Sequence, residues 1–416
     1  MCHPEPSAAK SKNRLNPLAL IAAGVLTALA LWPFLSSHQT PAATFTPAPL
    51  VRDYLTRNAV IAFYEKQVRQ YPADQIQLRI LAQLYMQRFR EQYDLGDITR
   101  AERAARRSIQ LQPQGNTSAE MTLAAARLSY HDFRGALAAQ RRAWQGEPFN
   151  ANAVAQIASL QMEIGEYAQA RATLARIPAK NDANPTVQSV RARYEELNGQ
   201  LDAARSLIAA ATQTIDSDVG NPAYDRSWYH MRAAQLAYEA NDNRSAEREF
   251  AISLDDDPNN ATALLWEARM YRTERRWRKA LAAATRSADL YPLPQALGYK
   301  ADAQRALGDD AAAAQTDALI DAEARLFNVN GINDRLLANY YAERHHRLTD
   351  ALRAAESDRA KRGDEIYSDD TMAQVLEALG RWREAYRYAL AANRLHTSDP
   401  ELRAHLQLAR QHSLSL

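Results

Sequence analysis

The chain has one cysteine in 416 residues, only 13 glycines, and basic and acidic side chains that nearly cancel, 51 against 49. A single cysteine excludes an intramolecular disulfide and any zinc site assembled from several thiolates. Thirteen glycines and 17 prolines are too few for an all-β protein full of tight turns. A formal charge of +2 lacks the basic surplus of a dedicated nucleic-acid binder. Forty-four of the basic residues are arginine, a bias that reads as genome composition rather than a phosphate-binding surface. Also missing are the G-x-G-x-x-G, P-loop, G-x-S-x-G and H-E-x-x-H patterns that would point to nucleotide, hydrolase or metalloprotease chemistry. What is present is ordinary for a folded body, with 46% hydrophobic and 24% charged residues.

The small positive surplus sits at one end. Residues 1–43 hold Lys10, Lys12 and Arg14 against Glu5, and the remainder carries 48 basic and 48 acidic residues. No residue from Asn16 to Ser37 is charged, and Leu18 to Leu35 is almost wholly apolar. At 1.5 Å per residue that run reaches about 27 Å, enough for the hydrocarbon core of a bilayer. Residues 1–15 then read as a basic cytoplasmic N-terminus and 16–37 as a transmembrane signal anchor or a signal peptide. The length of the run and the poor cleavage site at Thr40–Ala43 favour the anchor. Either way the positive-inside rule puts the rest of the chain outside the cytoplasm, in a single-pass inner-membrane protein or a secreted one. Residues 38–50, with Pro41, Pro47 and Pro49 among Thr and Ala, read as an extended linker.

The body, 51–416, is periodic. Ala101, Ala136, Ala170, Ala204, Ala246, Ala280, Ala314, Ala351 and Ala385 are separated by 35, 34, 34, 42, 34, 34, 37 and 34 residues. Five residues before the alanine stands Gly96, Gly165, Gly199 or Gly380; twelve after it stands Pro113, Pro148, Pro258 or Pro292. A bulky apolar residue precedes it by three, as in Phe133, Tyr167 and Trp277. Glycine suits a helix-to-helix turn, proline a helix end, and the apolar spacing between them is helical. Each period therefore predicts two amphipathic helices that bury their faces only by stacking on neighbours. The 42-residue interval predicts an insertion at 215–225. A helix before Pro72 and another after Asp399-Pro400 read as caps.

Small residues at the helix crossings, a large residue after the second of them and a closing proline resemble the tetratricopeptide repeat family. One unit carries this pattern as Ala234, Ala246, Phe250 and Pro258, the next as Ala268, Tyr271, Ala280 and Pro292. The resemblance implies an all-α superhelical solenoid of about nine helix pairs plus capping helices, of the kind found in exported bacterial proteins. It further implies that positions 2, 5, 9 and 12 of each first helix line a concave face. Those positions give a candidate protein-binding groove of Trp228, Gln235, Tyr238, Arg269, Arg272, Tyr299, Asn333 and Tyr340. Ala155 and Ser159 stand where a two-carboxylate clamp would need Lys and Asn, so that ligand class is not expected.

Catalytic chemistry has no visible home. His345 and His346 are adjacent and point about 100° apart on a helix. Asp255–Asn260 has Asn260 where a calcium loop needs glycine. The reading is a non-catalytic scaffold without cofactor, metal or nucleic acid, tethered to the membrane by its N-terminal helix. Its partner is a protein: an extended peptide or helix held in the groove while an envelope or secretion complex assembles. The alternatives are a helical accessory module of an envelope enzyme acting on glycan, and an intracellular regulatory adaptor.

Overall fold

The computed structural model describes residues 52–414, apart from 219 and 328–330. All of them belong to one unit, Pro47–Leu416. The membrane segment expected at 16–37, its leader and the linker lie outside the described residues. Within the described residues no helix is long and apolar enough to cross a membrane.

A leading helix, α1 (Arg52–Gln70), is followed by helix pairs α2 (Gln75–Gln92) and α3 (Leu95–Leu111), α4 (Thr117–Ser129) and α5 (Phe133–Gly146), α6 (Ala151–Glu163) and α7 (Tyr167–Leu174). Then come α8 (Pro185–Leu197) and α9 (Leu201–Asp216), α10 (Ala223–Glu239) and α11 (Asn243–Asp256), α12 (Ala261–Thr273) and α13 (Trp277–Leu290). The array ends with α14 (Pro294–Ala306) and α15 (Asp310–Phe327), α16 (Asp334–Glu343) and α17 (Leu348–Arg362), α18 (Ile366–Ala378) and α19 (Trp382–Ala392), and a single α20 (Pro400–Ser413). Consecutive helices pack on one another along nearly the whole array, and most successive first helices also touch, which makes an all-α superhelical solenoid.

The alanine ruler marks the closest approach within each pair. Ala101, Ala136, Ala170, Ala204, Ala246, Ala280, Ala351 and Ala385 are each 0% exposed. In the pair α14–α15 the buried residue is Ala313 and not Ala314, a one-residue correction to the expected register. A longer side chain at such a crossing would overpack it, which typically costs about 1–3 kcal/mol. Seven residues on, buried Ser108, Ser253 and Ser287 donate to the carbonyls of Gln75, Ser227 and Ala261 at 2.8 Å, pinning second helix to first. The first helices begin on asparagine in register: Asn150, Asn184 and Asn260 accept from Ala153, Val187 and Ala263 backbone N–H groups. This capping satisfies donors that the helix itself cannot.

In seven of the nine pairs the inner turn places a left-handed residue five before the buried alanine, at His131, Gly165, Gly199, Asn241, Arg275, Gly308 and Gly380; in α16–α17 His345 and Arg347 take that role. Gly96 does not serve there; it lies within α3, and Tyr93 takes the positive φ in that pair. The insertion expected at 215–225 falls at the facing ends of two helices: α10 has 17 residues against 13 in α4, α6, α8 and α12, and α9 has 16 against 14 in α5, α11 and α13.

The superhelix turns tightly enough to touch itself. The Glu163 carboxylate pairs with Arg362, and the backbone N–H of Ile366 donates to the Tyr167 hydroxyl at 2.9 Å, both across 199 residues. Thr397 Oγ1 donates to the Glu196 carbonyl across 201 residues. Tyr54 Oη donates to Asp257 Oδ2 at 2.9 Å across 203 residues. Tyr93 stacks on Tyr291 at 5.4 Å between centroids and accepts from the N–H of Ala261. Arg362 lies over the Phe133 ring at 4.1 Å. These contacts form a seam between successive turns, and the extended start of α10 joins it where Tyr224 sits under Arg90.

The seam explains why glycine is required at two of the seven left-handed turns. A Cβ on Gly165 would meet the Asp364 carbonyl oxygen at 2.5 Å, and one on Gly199 the His396 carbonyl oxygen at 2.4 Å, whereas Gly380 has open space. Gly380→Ala should therefore cost only the left-handed penalty, about 1–2 kcal/mol. Gly199→Ala should cost clearly more and should also raise hydrogen exchange around His396–Ser398. Denaturant midpoints of the two variants compare these costs, and equal losses would contradict the seam.

Candidate functional site

The inner wall of the superhelix has two different halves. Along the N-terminal half the first helices leave a groove of about 900 Å³. Its floor includes Ile80, Leu84, Met121, Leu128 and Leu160, with Gln83, Gln87 and Gln156 interspersed, and Trp228 from α10 closes the far side. Arg57 and Arg90 are its charged lining; Arg57 is held by the buried Glu91 at 2.8 Å. An apolar floor with amides at its edges can bury side chains while hydrogen-bonding a peptide backbone.

The C-terminal half is occupied by the protein itself. Arg269, with 14% of its side chain exposed, pairs with Glu401 on α20 at 2.6 Å and lies over Trp266 at 4.8 Å. Arg272 Nε donates to Asp302 Oδ2 at 2.7 Å and its guanidinium lies over the Tyr299 ring. Arg344 bridges to the same Asp302 and covers the Tyr340 ring at 4.3 Å. Burial opposes the charge on Arg269, but Tyr299, Glu401 and Asp399 raise its pKa above the ordinary arginine value. Burial, with the neighbouring Glu196 charge, pushes Glu239 well above the ordinary carboxylate range beside the ion-paired Glu196.

The eight residues expected to form the groove therefore separate. Trp228 lines the open groove. Gln235 is buried and accepts from Arg232. Tyr238 bonds Thr273 at 3.0 Å beneath Arg269, while Tyr299 and Tyr340 are buried, the latter donating to Asp317 at 2.6 Å. Arg269, Arg272, Tyr238 and Tyr299 do come together, but as an internal network whose cations are already ion-paired. Asn333 lies at the N-cap of α16, off the helix face.

The residues missed were within reach of the same rule. Counted from Thr117, positions 2, 5, 9 and 12 are Ser118, Met121, Ala125 and Leu128, and all four line the groove. The same count on α2, from Gln75, gives Gln83 and Met86 in the lining, while Ile76 and Arg79 stand outside it. Among the described residues no cluster of histidine, cysteine and carboxylates is placed to hold a metal ion.

The seating of α20 should depend on pH. His405 on α20 donates to Asp370 Oδ1 at 2.8 Å. Burial opposes its charge, but Asp370, Glu377 and Glu401 outweigh burial and lift its pKa to about 9. Burial, helped by Asp370 and opposed by His405, lifts Glu377 to about 7. Both groups hold their protons more tightly when folded. The histidine's contribution is complete below its free value near 6.5 and is lost as pH rises through about 9. The share of Glu377 goes earlier, as pH rises through about 7. Hydrogen exchange in α20, corrected for its intrinsic pH dependence, should accelerate from pH 6 to 9.5, with the upper part flattened in His405→Gln. A pH-independent α20 would contradict this assignment. At the other contact, Glu401→Gln should cost about 1 kcal/mol or less, because that carboxylate is largely exposed. Arg269→Ala should open α20 further, since it also removes the stacking on Trp266; the same exchange measurement separates the two.

The profile of the tetratricopeptide repeat family matches residues 127–194, the segment from the end of α4 through α8. No curated protein matches the chain by sequence. Among solved structures, a human IFIT1 dimer with PPP-AAAA is 17% identical over 72% of this chain and 69% of that one, with a TM-score of 0.48. The human IFIT1 dimer with m7Gppp-AAAA is likewise 17% identical, over 72% and 68%, with the same TM-score of 0.48. YrrB, described as a TPR protein with an unusual peptide-binding site, is 15% identical over 48% of this chain and 95% of its own, with a TM-score of 0.29. The family match falls on two helix pairs whose crossing alanine, left-handed turn and capped start recur along the array. Residues 127–194 thus carry tetratricopeptide repeats, within an array of similar helix pairs.

Proposed function

We propose that the chain is a non-catalytic scaffold that binds a polypeptide segment in the groove of its N-terminal half. The observation that carries this reading is the contrast between the two halves of the inner wall. In one half, arginines and carboxylates pair with each other, and the start of α20 reaches Arg269. In the other, Met121, Leu128, Leu160 and Trp228 face an open channel bordered by glutamine amides. An aromatic and a methionine in a preformed concavity supply adaptable apolar contact at low ordering cost, and the amides pair with an extended backbone. The segment 16–37 supports the further proposal that the scaffold is held at the inner membrane with its repeats outside the cytoplasm. There it would serve the assembly of an envelope or secretion complex.

A photo-crosslinking residue placed at Met121 or Gln156 in the groove should give discrete polypeptide adducts in the native host, and one at the exposed Arg353 should not. Met121→Asp should abolish adducts formed from Gln156 and leave the denaturation midpoint within about 1 kcal/mol. Adducts confined to Arg353, or adducts from Gln156 unchanged by Met121→Asp, would reject the groove as the binding site.

A further inference from the structure

The solvent-exposed face of α1 and the start of α2 carries an apolar stripe. Leu55, Phe63, Tyr71 and Ile76 are each between 49% and 57% exposed, four of the large apolar side chains left in solvent, gathered within 22 residues. On α1 the exposed positions are Leu55, Thr56, Ala59, Ala62, Phe63, Lys66, Arg69 and Gln70, and Tyr71, Pro72, Ala73 and Ile76 continue the face. No carboxylate is among them. Glu65 is turned away to accept from Tyr85 Oη at 2.7 Å, and Asp74 is engaged in capping α2. Lys66 and Arg69 enter no ion pair among the described residues.

We infer that this face seats on a bilayer surface that carries anionic headgroups, with Leu55 and Phe63 entering the interfacial layer and Lys66 and Arg69 at the phosphates. Two observations select lipid over a protein partner. The charge is of one sign: Lys66 and Arg69 stand on the same exposed face as Leu55 and Phe63, and cations beside apolar side chains suit anionic headgroups. The face also lies where the described chain begins, only 16 residues beyond the apolar run that ends at Leu35. Even fully extended as polyproline II, those residues reach about 50 Å, so any membrane placement of 18–35 keeps α1 near the headgroups. The seating does not require the tether; it is a second, reversible contact that orients the groove relative to the membrane.

The test uses the full chain with Cys2→Ser and a single new cysteine, Phe63→Cys or Phe149→Cys, labelled with an environment-sensitive fluorophore. Phe149, on the opposite turn system, is 92% exposed and is the control. Vesicles are phosphatidylcholine alone or with phosphatidylglycerol, with and without nitroxide-labelled lipid, and co-sedimentation is read in parallel. The expected result is a blue shift and nitroxide quenching at position 63 with phosphatidylglycerol only, and none at 149. Lys66→Gln and Arg69→Gln should each lower the quenched fraction's equilibrium roughly fivefold. Chain that sediments with either vesicle but keeps water-like emission at position 63 overturns the seating and spares the tether. Chain that sediments and is quenched only with phosphatidylglycerol supports the seating and sinks the tether. A vesicle-independent blue shift at position 63 overturns the inference in favour of a second copy, if it depends on concentration, or of the chain's own N-terminal segment, if it does not.

Discussion

Two helices can cross closely only where neither side chain keeps them apart, and in this protein that condition is met once per pair by a fully buried alanine. The crossing fixes how α4 lies on α5 or α12 on α13, and the serine seven residues later ties the second helix to the start of the first. Because the same geometry is applied at each step, small rotations add up to a superhelix. The pitch and radius of that superhelix, and hence everything on its inner wall, follow from a contact in which the smallest chiral side chain is the essential part.

The tightness of the coil then divides the inner wall. Where a later turn folds against an earlier one, buried charges must be paired. Arg362, Asp358, Arg335 and Glu365 form such a cluster, with Asp358 standing in the slot that serine fills in other pairs. Burial raises the energy of each lone charge, but mutual pairing holds Asp358 below the ordinary carboxylate range. Between the seam contacts of the first turn, α2, α4 and α6 keep an apolar stretch of inner face open, with Trp228 of the later α10 at its side. Binding capacity and self-closure thus lie next to each other on one continuous wall.

Most of the fold was legible because its signals are local and repeated. The spacing of Ala101, Ala136 and Ala170, the left-handed glycines and the closing prolines each report one step of the array, and eight of the nine crossings fall on the residue expected. Ala314 was displaced by one because four alanines in succession leave the register undetermined. The asparagine caps at 150, 184 and 260 were an additional signal in the same period. The site was less legible for a physical reason. A rule for one repeat says which side chains face inward, but not whether another turn already occupies the space they face. Arg269 and Arg272 satisfy the rule and are consumed by Glu401 and Asp302. Ser118 and Met121 satisfy it and are free.

The tyrosines of the seam carry a consequence for how such a protein can change. Tyr167 and Tyr93 offer their hydroxyl oxygens to the first N–H groups of helices one superhelical turn away, at Ile366 and Ala261. An array joined only through neighbours can gain or lose a unit anywhere and remain sound. Here the count between the joined residues is itself part of the structure. Deleting one pair between Tyr167 and Ile366 would bring a turn or an outer face to the hydroxyl instead of a helix start. It would also carry Gly199 away from His396. The protein is written in interchangeable units, yet its length behaves as a single indivisible word.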